Sequence, residues 1–412
     1  MPPTSSRVAA MDMLRGVAVL GILWMNITAF AQPSAAYLNP AAAGPLSMAD
    51  QIVWLIGFVA VDGKMRGLFA MLFGASMLLA IDKVEMAGSD GWRAHIHRAF
   101  WLFVIGLAHY LLLWWGDILA YYAIVGVLAL PLTTREPMAL IKWALIAFLL
   151  HFLLVASTIG GFYLWQSAAT AADATPATAA GWRDFVAAMS DPASTAIQRD
   201  IAIHRSGLTA IVAHRIELLD SDWLRGLAFS GFEIFGFMAL GMAMLKSGFL
   251  LGRWQPEQYR HTARHCFVIA VPPMLGIGLW VIATGFAPLP TTGSIIAWSF
   301  PFRIPLTVGW ASLLLWLFHR HSDSPAFIRL ATVGRLALSN YLGSSLLMTA
   351  IFYGWGLGLF ARVGLAQQMI FVFAGWAVIL LWSPLWVARF RIGPAEWVWR
   401  SLASRNLQKL RP

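Results

Sequence analysis

Residues 50–81 read DQIVWLIGFVAVDGKMRGLFAMLFGASMLLAI. Ile52 to Val61 is apolar, Asp62-Gly63-Lys64-Met65-Arg66-Gly67 is not, and Leu68 to Ile81 is apolar again. Neither half supplies the roughly 20 residues that a membrane-crossing helix needs, whereas the whole does. Charged backbone at membrane depth is tolerated only where it is buried in protein or lines a cavity. The stretch therefore reads as one broken span of a helical membrane bundle, with something built around the break.

The remainder of the chain agrees. Its 412 residues are 59% hydrophobic and only 12% charged, against roughly 25% charged in an average soluble domain. The mean hydropathy is +0.69. So few charges cannot coat a soluble fold, which excludes a soluble enzyme, a disordered chain and a fibrous protein. Further apolar runs at 13–31, 99–115, 117–132, 138–165, 224–251, 266–286, 294–318, 336–358 and 366–388 bring the total to ten, with Pro272-Pro273 expected to kink the run 266–286. The fold class is all-α, a polytopic membrane helix bundle of about ten transmembrane helices, forming a single integral membrane domain over 1–412.

Charge sets the orientation. With both termini cytoplasmic, the inner segments carry Arg7; Lys83, Arg93 and Arg98; Arg135 and Lys142; Lys246, Arg253, Arg260 and Arg264; Arg320, Arg329 and Arg335; and Arg389, Arg391, Arg400, Arg405, Lys409 and Arg411. The short outer loops hold Arg362 alone. This is the positive-inside pattern, and it accounts for the net charge of +10 without a nucleic-acid partner. Arg15, the apolar run after it and Ala29-Phe30-Ala31 imitate a cleavable leader, but Asp12, Arg15 and Asn26 make the segment too polar for one. Segment 166–223 falls outside the cytoplasm as a partly helical loop. Ser167 to Ala180 reads as flexible, and Trp182 to Leu219 as one or two amphipathic helices lying on the membrane or capping the bundle. The single cysteine, Cys266, excludes an intrachain disulfide, and no metal-ligand spacing stands out.

Ionisable groups at bilayer depth cost at least about 2.5 kcal/mol each and mark functional candidates. At 1.5 Å per helical residue, Asn26, His109, Glu233 and Arg303 come from four different spans to similar depth, as if around a common cavity. Each has a plain alternative: Asn26 a helix–helix hydrogen bond, His109 a packing histidine, Glu233 and Arg303 a mutual pair, Asp12 and Arg15 an interfacial pair. Lys64 and Arg66 follow the break, and Gly63 and Gly67 allow close backbone approach. Basic groups so placed suit a phosphate or carboxylate, or snorkel to the interface. Asp117, in Gly116-Asp117-Ile118-Leu119, suits either a helix N-cap or a role in receiving substrate.

Five ordered blocks now carry a resemblance. They are Arg7-Val-Ala-Ala-Met-Asp12-Met-Leu-Arg15-Gly16 with Gly21 to Ile27; Gly63-Lys64-Met65-Arg66 to Gly74; Gly106 to His109 with Gly116-Asp117-Ile118-Leu119-Ala-Tyr121-Tyr122 to Gly126; Val333-Gly334-Arg335 to Leu342; and Phe390-Arg391-Ile-Gly393-Pro394-Ala-Glu396-Trp397-Val-Trp399-Arg400. Together they resemble the YeiB-like family (domain of unknown function 418) of bacterial inner-membrane proteins, which implies that location. The family usually has Gln after Asn-Tyr-Leu, where this chain has Gly343-Ser344-Ser345. More distantly, the first span is similar to the transmembrane acyltransferase superfamily that includes heparan-alpha-glucosaminide N-acetyltransferase. There an Asn ten residues after an Arg-Gly step is implicated in catalysis, and Gly16 and Asn26 reproduce the spacing. That enzyme's outer-loop histidine has no counterpart in 27–50, so His109 stands in for it by depth.

The resemblance implies acyl transfer from a cytoplasmic acyl-CoA to an extracytoplasmic or lipid-linked hydroxyl or amine. Arg15, Lys64, Arg66 and Arg335 would neutralise the donor's phosphates. His109 would act as general base, Asn26 would stabilise the oxyanion, and Glu233 would orient His109. Asp117, Tyr121 and Arg303 would hold the acceptor. The partners are then membrane lipids and the two small molecules, and a homodimer is compatible with this. The rival is a transporter or exporter of a small organic anion or lipid-linked sugar, which a broken span and mid-membrane charges suit equally.

Overall fold

A computed structural model describes residues 4–219 and 222–411. The side chain of Arg7, assigned above to the inner face, and residues 220–221 of the 166–223 stretch lie outside the described residues. Among the described residues every regular element is helical. In order they are α1 (Thr4–Ala31), the short α2 (Ala35–Leu38), α3 (Met48–Ala60), α4 (Lys64–Met86), α5 (Gly91–Leu112) and α6 (Leu119–Leu128). Then come α7 (Pro137–Thr170), α8 (Pro176–Ser190), α9 (Thr195–His204), α10 (Leu208–Glu217), α11 (Asp222–Lys246) and α12 (Pro256–Ala283). The chain closes with α13 (Pro288–Gly293), α14 (Phe300–His321), α15 (Pro325–Arg335), α16 (Ala337–Phe352), α17 (Leu365–Val387) and α18 (Pro394–Ser404).

Each of the ten apolar runs lands on a helix. Seven stretches are long and apolar enough to cross a membrane: α1 from Ala9, α3 with α4 taken together, α7, α11 from Trp223, α12, α14 and α17. The apolar helices α6 and α16 are shorter, and α5 carries Arg93 and Arg98 in its first turns. Pro272-Pro273 sits inside α12 without ending it. The break in the second run is real. Gly63 takes a left-handed backbone (φ +73°) between α3 and α4, and a Cβ there would lie 2.7 Å from the Arg303 side chain. Only glycine meets both conditions cheaply.

Helix α1 is central: 72% of its most apolar window is buried, against 22% for α12 and for α17. Leu149 on α7, Ile269 on α12 and Leu385 on α17 are exposed large apolar residues, a surface that water would penalise and lipid would not. Small residues let backbones cross closely. A Cβ on Gly241 of α11 would sit 1.9 Å from the Met71 carbonyl oxygen of α4, and one on Gly74 of α4 2.3 Å from that of Met238. Gly16 and Gly334 do the same for α1 against α15.

The 166–223 stretch holds three helices, α8 to α10, after the end of α7. Its Ala/Thr-rich beginning, expected to be flexible, is largely helical. Ala is the best helix former, Thr175 accepts a hydrogen bond from the Thr178 N–H, and Pro176 stands at the first helical position. Segment and bundle are tied together by backbone-directed bonds. Arg215 Nη1 and Nη2 donate to the carbonyls of Leu111 (3.1 Å) and Leu113 (3.2 Å) at the end of α5. Arg205 Nε donates to the Phe360 carbonyl (2.9 Å), and the Ser34 N–H to Asp200 Oδ2 (2.7 Å).

Candidate functional site

Helices α5 and α6 form a tight hairpin because Gly106 has no side chain; a Cβ there would lie 2.4 Å from the Ala120 nitrogen and 2.8 Å from Asp117 Oδ1. Asp117 uses both oxygens in the turn. Oδ1 accepts from the Ala120 N–H at the start of α6 (2.9 Å), and Oδ2 lies 2.8 Å from His109 Nδ1. A carboxylate only accepts, so Nδ1–H donates to it. Nε2 is buried and has no hydrogen-bond partner. The His109 ring packs against Tyr341 of α16, centroids 5.1 Å apart. Asp117 thus caps the helix and orients the histidine at once.

Two cavities approach this pair from opposite ends of the bundle. The larger, about 640 Å³, lies under the 166–223 segment. Asn26, Arg66, Asp117, Tyr121 and Asp200 are on its wall, with Tyr122 and Tyr341. Asn26 makes no side-chain hydrogen bond to another described residue and is 6% exposed. At the rim, Asp200 pairs with His204 (2.7 Å). Burial alone would raise the Asp200 carboxyl, but hydrogen bonds from His204 and Ser34 and the charge on His204 hold it below its ordinary value. The smaller cavity, about 220 Å³, opens toward the termini between α1, α4, α5, α15, α16 and α18. Arg15 and Arg335 line it with Arg98 and Arg400, and its wall again includes Tyr122 and Tyr341. These two tyrosines are common to both cavities.

The break between α3 and α4 organises a buried charge cluster beside the larger cavity. Arg66 Nη2 donates to Glu233 Oε2 of α11 (2.9 Å). Arg303 of α14 lies 3.8 Å from Asp62 and donates from Nε to the Ser299 hydroxyl (3.0 Å). Lys64 is 1% exposed and donates to the Phe58 carbonyl, capping the end of α3.

Several expected groupings change accordingly. Glu233, expected to orient His109 or to pair with Arg303, instead holds Arg66; its place on His109 is taken by Asp117, which is eight residues away in the same hairpin. Arg303 lies nearest Asp62 and is on the wall of neither cavity. Lys64 and Arg66, expected on the donor phosphates with Arg15 and Arg335, lie apart from them: Arg66 faces the larger cavity and Lys64 faces neither. Tyr121 lines the larger cavity and donates to the Trp223 carbonyl (3.0 Å). Asp12 pairs with Arg15, which also reaches the Ser76 hydroxyl (3.0 Å). His109 stands one side chain behind the cavity walls. Among the described residues no group of three or more His, Cys, Asp or Glu could hold a metal ion.

Residue-by-residue reading missed a network that places Tyr341. Glu396 of α18 accepts from the N–H groups of Leu338 (2.8 Å) and Ser339 (3.2 Å) and from the Ser339 hydroxyl. It thereby caps the start of α16. Asn340 donates to the Val333 carbonyl (2.9 Å) and accepts from Trp382 Nε1 (2.8 Å). Glu396 and Asn340 stand in quoted blocks, which was the available signal. Tyr122 did too.

The comparisons with known proteins accord with this picture. Residues 244–406 match a family model described as a protein of unknown function (DUF418). The chain is 30% identical over 411 residues to the uncharacterized protein YeiB of Escherichia coli, covering 97% of each. It is 27% identical over 423 residues to the uncharacterized protein YxaH of Bacillus subtilis, covering 99% of this chain and 96% of that one. No solved structure matches. With near full-length similarity to YeiB and the family model over its C-terminal part, the chain belongs to the YeiB-like, DUF418 family of proteins of unknown function.

Proposed function

We propose that this chain is a transmembrane acyltransferase of the bacterial cytoplasmic membrane, with ten spans, both ends in the cytoplasm and segment 166–223 outside. The observation that carries the reading is that two cavities entering from opposite ends share Tyr122 and Tyr341, next to a His109–Asp117 pair. An acyl-CoA donor enters the smaller cavity, with Arg15 and Arg335 on its phosphates. The acceptor hydroxyl or amine, free or lipid-linked, enters the larger one.

Tyr341 turns aside to bring the reacting groups to His109. Nε2 takes the proton of the acceptor as its oxygen or nitrogen attacks the thioester carbonyl. The Asn26 amide donates to the oxyanion of the tetrahedral adduct. Collapse breaks the carbon–sulfur bond, and the imidazolium returns the proton to the leaving thiolate. Asp117 holds the imidazole in the required tautomer and stabilises its charged form. Water is excluded by the aromatic walls.

One observation favours transport instead: the Arg66–Glu233 and Arg303–Asp62 pairs at a broken helix resemble gating charges beside a solute cavity. A single experiment separates the two. The full-length protein in nanodiscs, given labelled acetyl-CoA and a panel of sugar and amine acceptors, is expected to release CoA and label an acceptor. His109→Ala should bind donor but transfer nothing. Sealed vesicles that accumulate an organic anion without CoA release would establish the transporter and remove the transferase.

A further inference from the structure

We infer that the smaller cavity binds a phosphate-headed amphiphile, because unpaired guanidinium groups from three helices meet there above an apolar floor. This gives the donor side of the reading above a chemical class, and rests on that reading only for what happens to the molecule afterwards. Arg98 comes from α5, Arg335 from α15 and Arg400 from α18, and none forms an ion pair among the described residues. Arg98 lies over the Trp399 ring at 4.8 Å, and Arg335 reaches only the Arg391 carbonyl (3.4 Å). The fourth, Arg15, is held by Asp12.

Two carboxylates stand near the four guanidinium groups. Glu396 on the wall directs both oxygens to α16, and Asp12, paired with Arg15, also lies within electrostatic reach of Arg335 and Arg400, so positive charge remains in excess. His95 Nε2, on the same wall, is buried without a partner. Like charges gathered at partly screened depth repel unless an anion joins them. A phosphate matches the guanidinium fork with paired acceptors. A bare phosphate would leave most of the 220 Å³ empty against Phe69, Leu72, Phe73 and Leu102. An apolar tail running toward Tyr122 and Tyr341 fills it. The same chemistry is carried by an acyl-CoA and by an anionic lipid.

The test uses the full-length protein in phosphatidylcholine nanodiscs and equilibrium binding of octanoyl-CoA, dioctanoyl phosphatidic acid, octanoate and inorganic phosphate. At least one phosphate-headed amphiphile should bind, and octanoate and phosphate should each bind at least about tenfold more weakly. Arg98→Gln and Arg400→Gln should each weaken the amphiphile by about tenfold; Arg400 is exposed, so its variant retains the fold. Octanoyl-CoA alone identifies a donor, and phosphatidic acid alone a lipid headgroup. Failure of both to bind, or a Kd indifferent to both arginines, overturns the inference. Tight binding without transfer to any acceptor leaves it standing and removes the transferase reading. Transfer with a Kd indifferent to the arginines does the reverse.

Discussion

Substituting Asp117→Asn separates the two duties of that side chain. In the native hairpin Oδ1 accepts from the Ala120 N–H at 2.9 Å and Oδ2 faces His109 Nδ1 at 2.8 Å. Asparagine offers one acceptor and one donor group in the same shape. If its oxygen keeps the cap, its NH2 meets Nδ1, which must then accept; the proton moves to Nε2 and the base is lost. If it turns its oxygen to His109, two donors meet at Ala120 and the cap is lost, at a cost of about 1 kcal/mol. The first arrangement leaves no donor–donor contact and should prevail. Transfer should then fall by about 10⁴-fold, as wrong-tautomer variants of histidine–carboxylate pairs do, while stability changes by less than about 1 kcal/mol. Donor binding should be unchanged. Acyl transfer in nanodiscs, with a melting curve on the same sample, measures both. Full activity in Asp117→Asn with an unaltered Tm would refute the assigned tautomer and the role of His109.

Four other outcomes follow from the packing and the ion pairs. Glu233→Gln should destabilise by about 3 kcal/mol by leaving Arg66 buried without its partner, and Arg66→Met with Glu233→Leu should recover most of it, read by thermal unfolding in detergent. Gly334→Ala would place a Cβ 1.7 Å from the Asp12 carbonyl oxygen and should cost about 2 kcal/mol or more. Gly343→Ala, with nothing within 4 Å in the same helix pair's neighbour α16, should be neutral or stabilising by up to about 1 kcal/mol. Asp200 has a folded-state pKa held below its unfolded value, so its contribution is complete above about pH 4 and disappears as pH falls through the lower folded value. Protease resistance of segment 166–223 should therefore weaken below about pH 4, and Asp200→Asn should show the weakened state already at pH 7.

The helices were legible because lipid demands long apolar runs, and 50–81 showed its break through Asp62, Gly63, Lys64 and Arg66. Azimuth was not legible. Arg66 and Glu233 are 167 residues apart and Ser339 and Glu396 are 57 apart, and no local pattern says which faces of two helices meet. Asp117 was legible as a cap, but the reach of its second oxygen depends on the close approach that Gly106 permits. Ser167 to Ala180 misled because small residues without an apolar face look like linker, although Ala, Pro176 and Thr175 are good helix-starting material.

The meeting of the two cavities beside His109 can be tested directly with an octanoyl-CoA carrying a photoreactive diazirine at the end of its acyl chain. After irradiation with the full-length protein in nanodiscs, mass spectrometry should find label on Leu119, Tyr122, Leu338 or Tyr341, which lie where the smaller cavity ends. Label confined to Leu149, Ile269 or Leu385 on the outer surface of the bundle would contradict the account.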